Sequence, residues 1–496
     1  MPTIPVKVST NAMGTPITIK PEQIQGGALG YDPRQRSWNH LEPWLGGEWR
    51  LRDIIDYQSI AWESVLYQSA TWREELLRNF YRIGQRALAR SSPYAFVIPA
   101  AQRDPGSTRK LLKTLAFGLV EIDRAQEPFD AGGKRYPEGT YAIRVQQPYG
   151  SFAKTLLERQ DYPDLRLYPG GPPKRPYDVT AHTLPLLMGV EMETVSAPFS
   201  ARLSRTSEFP VKPATAAPQG ALAASDIATW RELNRIWGGG GVVWRNFSTG
   251  DFRRDQARGW VKISAPRVGL YKSHMPSMDE GWTRWLLEDF GFRYRSLSNK
   301  EVQAGSLAQA FDAIVFADQQ PSSIGSGYRE GAMPPEFTGG LGAQGAEALK
   351  AFLTAGGTVV MLNQATGYAD ALGVAVKNTI RGLSNSDFYS PGSLLNVSLD
   401  TAHPLTRGLP PRIAVWSEGS PAWEAEAPAR TVASYPDSGL LASGWLLGEK
   451  YLAGRSALLD VPVGAGHLVL FGFRPQYRAQ SYQTFHILFN SFLLRN

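Results

Sequence analysis

The chain has 496 residues, 43% of them hydrophobic, with 52 Lys and Arg against 45 Asp and Glu for a formal charge of +7. That length accommodates roughly two to four domains with cores of their own, and the absence of cysteine excludes disulfides, thiolate metal sites and a Cys nucleophile while leaving the compartment open. No apolar run reaches the ~18 residues of a membrane span, and the basic residues are interleaved with acidic ones rather than blocked with aromatics, so neither a membrane span nor a nucleic-acid partner is expected.

The first residues, MPTIPVKVSTNAMGTP, lack the basic-then-apolar pattern of a signal peptide. Residues 1–50 are rich in Pro, Gly and Trp, with a short extended stretch at 15–20, and read as a strap that cannot bury a core alone. A long helix is predicted over 52–90, because Trp62, Val65, Leu66, Trp72, Leu76, Phe80, Ile83 and Ala87 recur at three- and four-residue steps. Such a face needs a packing partner, so a missing or partner domain is expected to cover Trp62, Trp72 and Phe80.

The strand-like YAFVIPA at 94–100, a helix opened by Asp104 and Pro105, and a return at 119–123 read as β-α-β. A hairpin around 131–133, a strand at 140–145 and a helix over 151–158 follow, then a Pro/Gly-dense segment with aromatic and leucine anchors that reads as a fixed loop. These residues, 91–200, form a small α/β domain. Residues 201–265 are a transition, with a helix around 230–237 running into Gly238 to Gly241 and the strand VVW. A phosphate cradle runs strand, Gly-loop, helix; the reverse order here favours a helix C-cap and turn.

From 266 onward strands alternate with helices: RVGLY, a helix over 279–290, YRSL, a strand at 313–317, a helix over 344–354 and TVVML. Alternation of this kind specifies a parallel sheet covered on both faces. Strands near 394–399 and 457–461, HLVLFGF and a last helix over 484–494 complete an α/β, flavodoxin-like domain with an antiparallel elaboration. The run Gly340-Leu341-Gly342-Ala343-Gln344-Gly345 matches G-x-G-x-x-G, but PPEFT rather than a strand precedes it and Asn363 stands where a ribose-binding acid would be. An ordinary capped helix is the better reading.

Six blocks, YAFVIPAAQRDPG, LYPGGPPKRPYDVTAHTLPLLMGVE, MDEGWTRWLLEDFGF, FYSPGS, SGWLLG and VLFGFRPQYRAQSYQTFHILFNSFLL, resemble large bacterial proteins of the peptidase M14 (zinc carboxypeptidase) family. In these, a peptidase domain is followed by an α/β region and a domain similar to class I glutamine amidotransferases. The strap and helix of residues 1–90 are similar to the end of that family's catalytic domain. The resemblance implies peptide hydrolysis, a peptide substrate, a secreted or periplasmic location, and zinc in a complete peptidase domain upstream or on a separate chain.

The zinc pattern needs a His followed three residues later by Glu. Three residues after His40, His182, His274, His403, His467 and His486 stand Pro43, Pro185, Ser277, Thr406, Leu470 and Phe489. Where the family pattern would put a late catalytic Glu, Lys7 stands near the place. No catalytic and no metal-ligating residue is therefore assigned. With neither a Cys nor a G-x-S-x-G elbow, the amidotransferase-like domain is expected to bind rather than catalyse. The alternative to a carboxypeptidase tail is thus a non-catalytic ligand- or protein-binding protein.

Ligand contacts are expected where loops leave the sheet: Ser273, His274, Asp279 and Glu280 after the first strand, Asp318 and Gln319 after another, and Arg474, Gln476, Arg478 and Gln483 after the last. The plainer reading of the same residues is scaffold. Asp279 would then cap its helix, and Arg474 or Arg478 would pair with Asp318 or Glu280.

Overall fold

The structure, a computed structural model, describes residues 16–24, 32, 34–38 and 41–494. Lys7 and His40 lie outside the described residues, as do 1–15. The chain divides into two compact units, Met1–Ala89 and Arg90–Asn496.

In the first unit, Ile17–Ile19 pairs antiparallel with Gly47–Trp49. The predicted long helix forms as two, Leu51–Thr71 and Arg73–Leu88, broken at Trp72 where the backbone leaves helical geometry (φ −104°, ψ 20°). Trp62, Trp72 and Phe80 are 56%, 55% and 49% exposed. Only Ile54 and Ala87 among the residues of both helices are buried. Of the apolar side chains that periodicity assigns to a packed face, Trp62, Leu66, Trp72, Leu76, Phe80 and Ile83 are exposed, while Ala87 is buried.

In the second unit, an antiparallel sheet of five strands runs in the order Leu203–Arg205, Asp123–Ala125, Tyr141–Arg144, Ala95–Ile98, Glu193–Val195. Asp104 caps the helix Pro105–Phe117, accepting from the Ser107 amide at 2.9 Å. The expected β-α-β is present in split form. Tyr141–Arg144 lies between the first and last strands and pairs antiparallel with both. The hairpin joins Phe129–Ala131 to Lys134–Tyr136 through Gly132 and Gly133, both at positive φ, as a tight two-residue turn requires. Helix Ala228–Gly238 ends at Gly239, whose amide donates to the Arg235 carbonyl, and Gly240 sits at φ +78°. Those glycines end a helix, as the sequence order implies.

The dominant sheet has twelve strands. Its principal elements are β1 (Val268–Tyr271), α1 (Met278–Asp289), β2 (Tyr294–Leu297), β3 (Ala313–Phe316), α2 (Gly342–Thr354), β4 (Thr358–Leu362), β5 (Pro391–Leu399), β6 (Arg412–Glu418), β7 (Arg430–Ser434), β8 (Ser456–Val463), β9 (Gly466–Phe471) and α3 (Tyr482–Ser491). Pairing runs β2-β1-β3-β4-β9-β8-β7-β5-β6. The first four pairings are parallel and the rest antiparallel. The parallel strands therefore stand in the order 2-1-3-4-5, the flavodoxin-like order. β1, β3 and β4 are buried at every residue, as strands covered on both faces must be. α3 is buried at all ten positions, so it is a core helix rather than an amphipathic lid. β6 and β7 were not anticipated from sequence.

The G-x-G-x-x-G run serves packing. A Cβ at Gly340 would meet the Ile324 and Gly325 carbonyl oxygens at 2.5 and 2.6 Å, and Gly342 takes φ +56°. The capped-helix reading needs correction in one respect, since Leu341 at the N-cap makes no side-chain cap. Gln303 instead donates to the Gly340 and Leu341 carbonyls.

Candidate functional site

In open parallel sheets, ligands sit outside the carboxyl ends of the strands, at the point where strand order reverses. Here that point lies between β1 and β3, and a cleft of about 260 Å³ opens there. Its walls are the segment after β1, with Lys272, Ser273, His274 and Ser277, the segment after β3, with Gln319, and the first turns of α1, with Glu280 and Arg284.

The cleft is held by side-chain hydrogen bonds. Gln319 donates its amide to Ser273 Oγ at 2.6 Å and to the Met275 carbonyl at 3.0 Å, while Ser273 Oγ donates to the same carbonyl at 2.8 Å. Ser277 caps α1, its Oγ accepting from the Glu280 amide and donating to the Asp318 carbonyl at 2.9 Å. These bonds tie the β1 and β3 loops into one rigid mouth. His274 packs edge-on against Phe337, with ring centroids 5.6 Å apart. Glu280 is buried and pairs with Arg284 one turn along, and among the described residues the Lys272 and His274 side-chain nitrogens make no hydrogen bond or ion pair at the mouth.

Behind the cleft stands an ionic node. Arg474, after β9, reaches Asp279 at 2.7 Å, Asp318 at 3.4 Å and Glu418 with its other arm. Asp279 is 2% exposed. Burial pushes the Asp318 carboxyl above the ordinary aspartate value, and Arg474 opposes that shift. Asp318 also accepts from the Gln364 amide at 3.0 Å. The node thereby joins β3, β4, β6, β9 and α1 at one edge of the sheet.

Next to it, β4 ends at Asn363 with φ +52°, a left-handed conformation uncommon outside glycine. Asn363 is 2% exposed and its Oδ1 has no hydrogen-bond partner. A strand ending in such a turn is the geometry by which α/β folds present a nucleophile. An amide occupies that position here.

Of the residues expected from sequence, Ser273, His274, Glu280 and Gln319 line the cleft, and Asp279, Asp318 and Arg474 form the node behind it. Three stand elsewhere. Gln476 is fully buried under α1, donating to Thr283 Oγ1 at 3.1 Å. Gln483 lines a separate groove with Arg103 and Gly189. Arg478 makes a two-pronged pair with Asp178 at 2.8 and 3.0 Å. The scaffold reading holds for Arg474, which pairs with Asp318, and is corrected elsewhere: Ser277, not Asp279, caps α1, Glu280 pairs with Arg284 and Arg478 with Asp178. Arg284 and Glu418 were not anticipated, since one lies inside α1 and the other ends β6, outside the parallel set; Lys272 was not anticipated either, although it directly follows β1. Among the described residues no group of three or more His, Asp or Glu side chains is arranged to hold a metal ion. No helix among them is long and apolar enough to cross a membrane.

No family model matches the sequence, and no curated protein matches it. Among solved structures, the chain is similar to a cytoplasmic protein of Salmonella typhimurium at 13% identity, covering 46% of this chain and 97% of that one, with a TM-score of 0.29. A glutamine amidotransferase of Thermotoga maritima aligns at 12% identity over 45% and 81% of the two chains, TM-score 0.28. A beta-galactosidase of Bacillus circulans aligns at 13% identity over 46% and 31%, TM-score 0.25. The flavodoxin-like assignment rests on the strand order, and none of these proteins' activities carries over to this chain.

Proposed function

We propose that the unit of residues 90–496 is a non-catalytic binding module that holds a small polar ligand in the β1/β3 cleft. The observation that carries this reading is Asn363. The turn after β4 keeps the conformation in which a nucleophile is presented, while its side chain is an amide with no lone pair suited to covalent attack on a carbonyl. The cleft supplies a hydroxyl, an amide, an imidazole and an ammonium group, a set suited to hydrogen-bonding a polar or anionic molecule.

The sequence resemblance supports a place for this module beside peptide hydrolysis of the zinc-carboxypeptidase type, with the zinc-binding residues and the peptide substrate site supplied by a peptidase domain in the same chain or a partner. A secreted or periplasmic setting goes with that reading. Two measurements test it. Incubation with L-glutamine is expected to release no ammonia above the buffer rate; release abolished by Asn363→Ala would overturn the non-catalytic reading. Carboxypeptidase activity that appears on adding a zinc-bearing partner domain supports the accessory role, and a partner whose activity is indifferent to this chain argues against it.

A further inference from the structure

A second cleft, of about 350 Å³, lies beyond the antiparallel end of the same sheet, where the Pro/Gly-dense segment meets β5 and the turn after β6. It is lined by charges of opposite sign that do not neutralise one another. Arg175 is exposed, and no carboxylate pairs with it among the described residues. Glu418 gives Oε2 to Arg474, leaving its other oxygen unengaged. Asp178 is closed off by the two-pronged bond from Arg478.

Arg175, Glu418 and the Tyr389 phenol nevertheless line the same cleft. Burial pushes that phenol up, and Arg175 opposes the shift. Pro172, Pro173 and Pro176 bracket Arg175 and fix the backbone that carries it, and Arg474 holds Glu418 from behind. The neighbouring turn is held in place at a cost: Arg478 and Ala479 are consecutive non-glycine residues at positive φ, 42° and 53°, conformations that persist only where the surroundings over-determine them. Phe388 and Leu383 give the cleft an apolar wall.

We propose that this cleft binds a zwitterion of amino-acid size, its ammonium on Glu418, its carboxylate on Arg175 and an apolar side group against Phe388 and Leu383. A simple anion would meet Glu418 and a simple cation would meet Arg175. A molecule carrying both charges satisfies both, and charge-assisted hydrogen bonds at its two ends are the strong kind. This inference does not depend on the reading of the β1/β3 cleft.

Calorimetric titration of the full chain with L-leucine, L-leucinamide and N-acetyl-L-leucine tests it. L-leucine should bind saturably, and each blocked form at least about tenfold more weakly, since each loses one charge-assisted contact. In Arg175→Gln, whose exposed side chain carries no packing load, L-leucine and L-leucinamide should bind alike. The proposal fails if L-leucine shows no saturable binding, if the three probes bind equally, or if Arg175→Gln keeps the native preference.

Discussion

Replacing Arg474 by methionine removes the one cation that faces three carboxylates. Asp279 is buried and Asp318 largely so, whereas Glu418 is 43% exposed and its share is small. Breaking a buried pair from one side costs about 3–5 kcal/mol, because a charge is left without compensation. Asp279 lies in the first turn of α1, where the helix dipole recovers up to about 1 kcal/mol, so about 3 kcal/mol is expected. With an unfolding entropy of about 2.1 cal/mol/K per residue over roughly 400 residues, the melting temperature should fall by about 3–4 °C at pH 7.5.

The deficit should narrow in acid. Asp318 already titrates above its ordinary value of 3.8 because of burial, and losing Arg474 raises it further. The folded variant then binds more protons than the unfolded chain, so its stability rises as pH falls through the raised value toward 3.8. Melting curves of Arg474→Met and of the triple variant Arg474→Met, Asp279→Asn, Asp318→Asn measure this, with the triple variant recovering most of the loss. A fall below about 1 °C at pH 7.5, or a deficit that grows toward pH 5, would refute the account of the node.

Three further outcomes are expected. Asp460 is buried between His403 and His467; burial pushes its carboxyl up, but the two histidines outweigh this and hold it at about 2. Asp460→Asn should therefore cost about 2 kcal/mol above the ordinary aspartate value. The gap should close as pH falls from 3.8 to about 2, as acid-titrated melting temperatures would report. Gly340→Ala should cost about 1–3 kcal/mol through overpacking against the Ile324 and Gly325 carbonyls, read as a shift in the urea midpoint. Asp104→Ala should destabilise by at least about 3 kcal/mol, since it strips a fully buried cap that also pairs with His486 at 3.2 Å; a neutral melting temperature would contradict that.

The parallel sheet is legible because β1, β3 and β4 are short apolar runs alternating with helices, and Asp104 marks a helix start that local rules find; at α1 the same rules point to Asp279, two positions past the cap Ser277. The antiparallel extension is only half legible: β5 and β8 read as strands, while β6 and β7 stand amid Pro and Gly and do not. The candidate site was legible as a location, since chain order fixes which loops gather at the carboxyl edge. Of the side chains that meet there, the Arg474–Asp318 pair was open to that reading and the others were not. Arg474 contacts Asp279 across 195 positions and Glu418 across 56, a separation no local pattern encodes. Gln476 and Gln483 looked like rim residues because they follow β9, yet the turn beyond that strand folds them under α1 and toward Gly189. The strain at Asn363 had no signature other than its place after a buried strand.

The most direct test of the binding-module account is a thermal-shift screen of polar and anionic metabolites on the full chain, repeated with Gln319→Ala and His274→Ala, with each stabilising compound followed by NMR. The account predicts a compound that raises the native melting temperature, loses that effect in both variants and emerges chemically unchanged. Stabilisation that survives in both variants, or conversion of the compound that depends on Asn363, would contradict it.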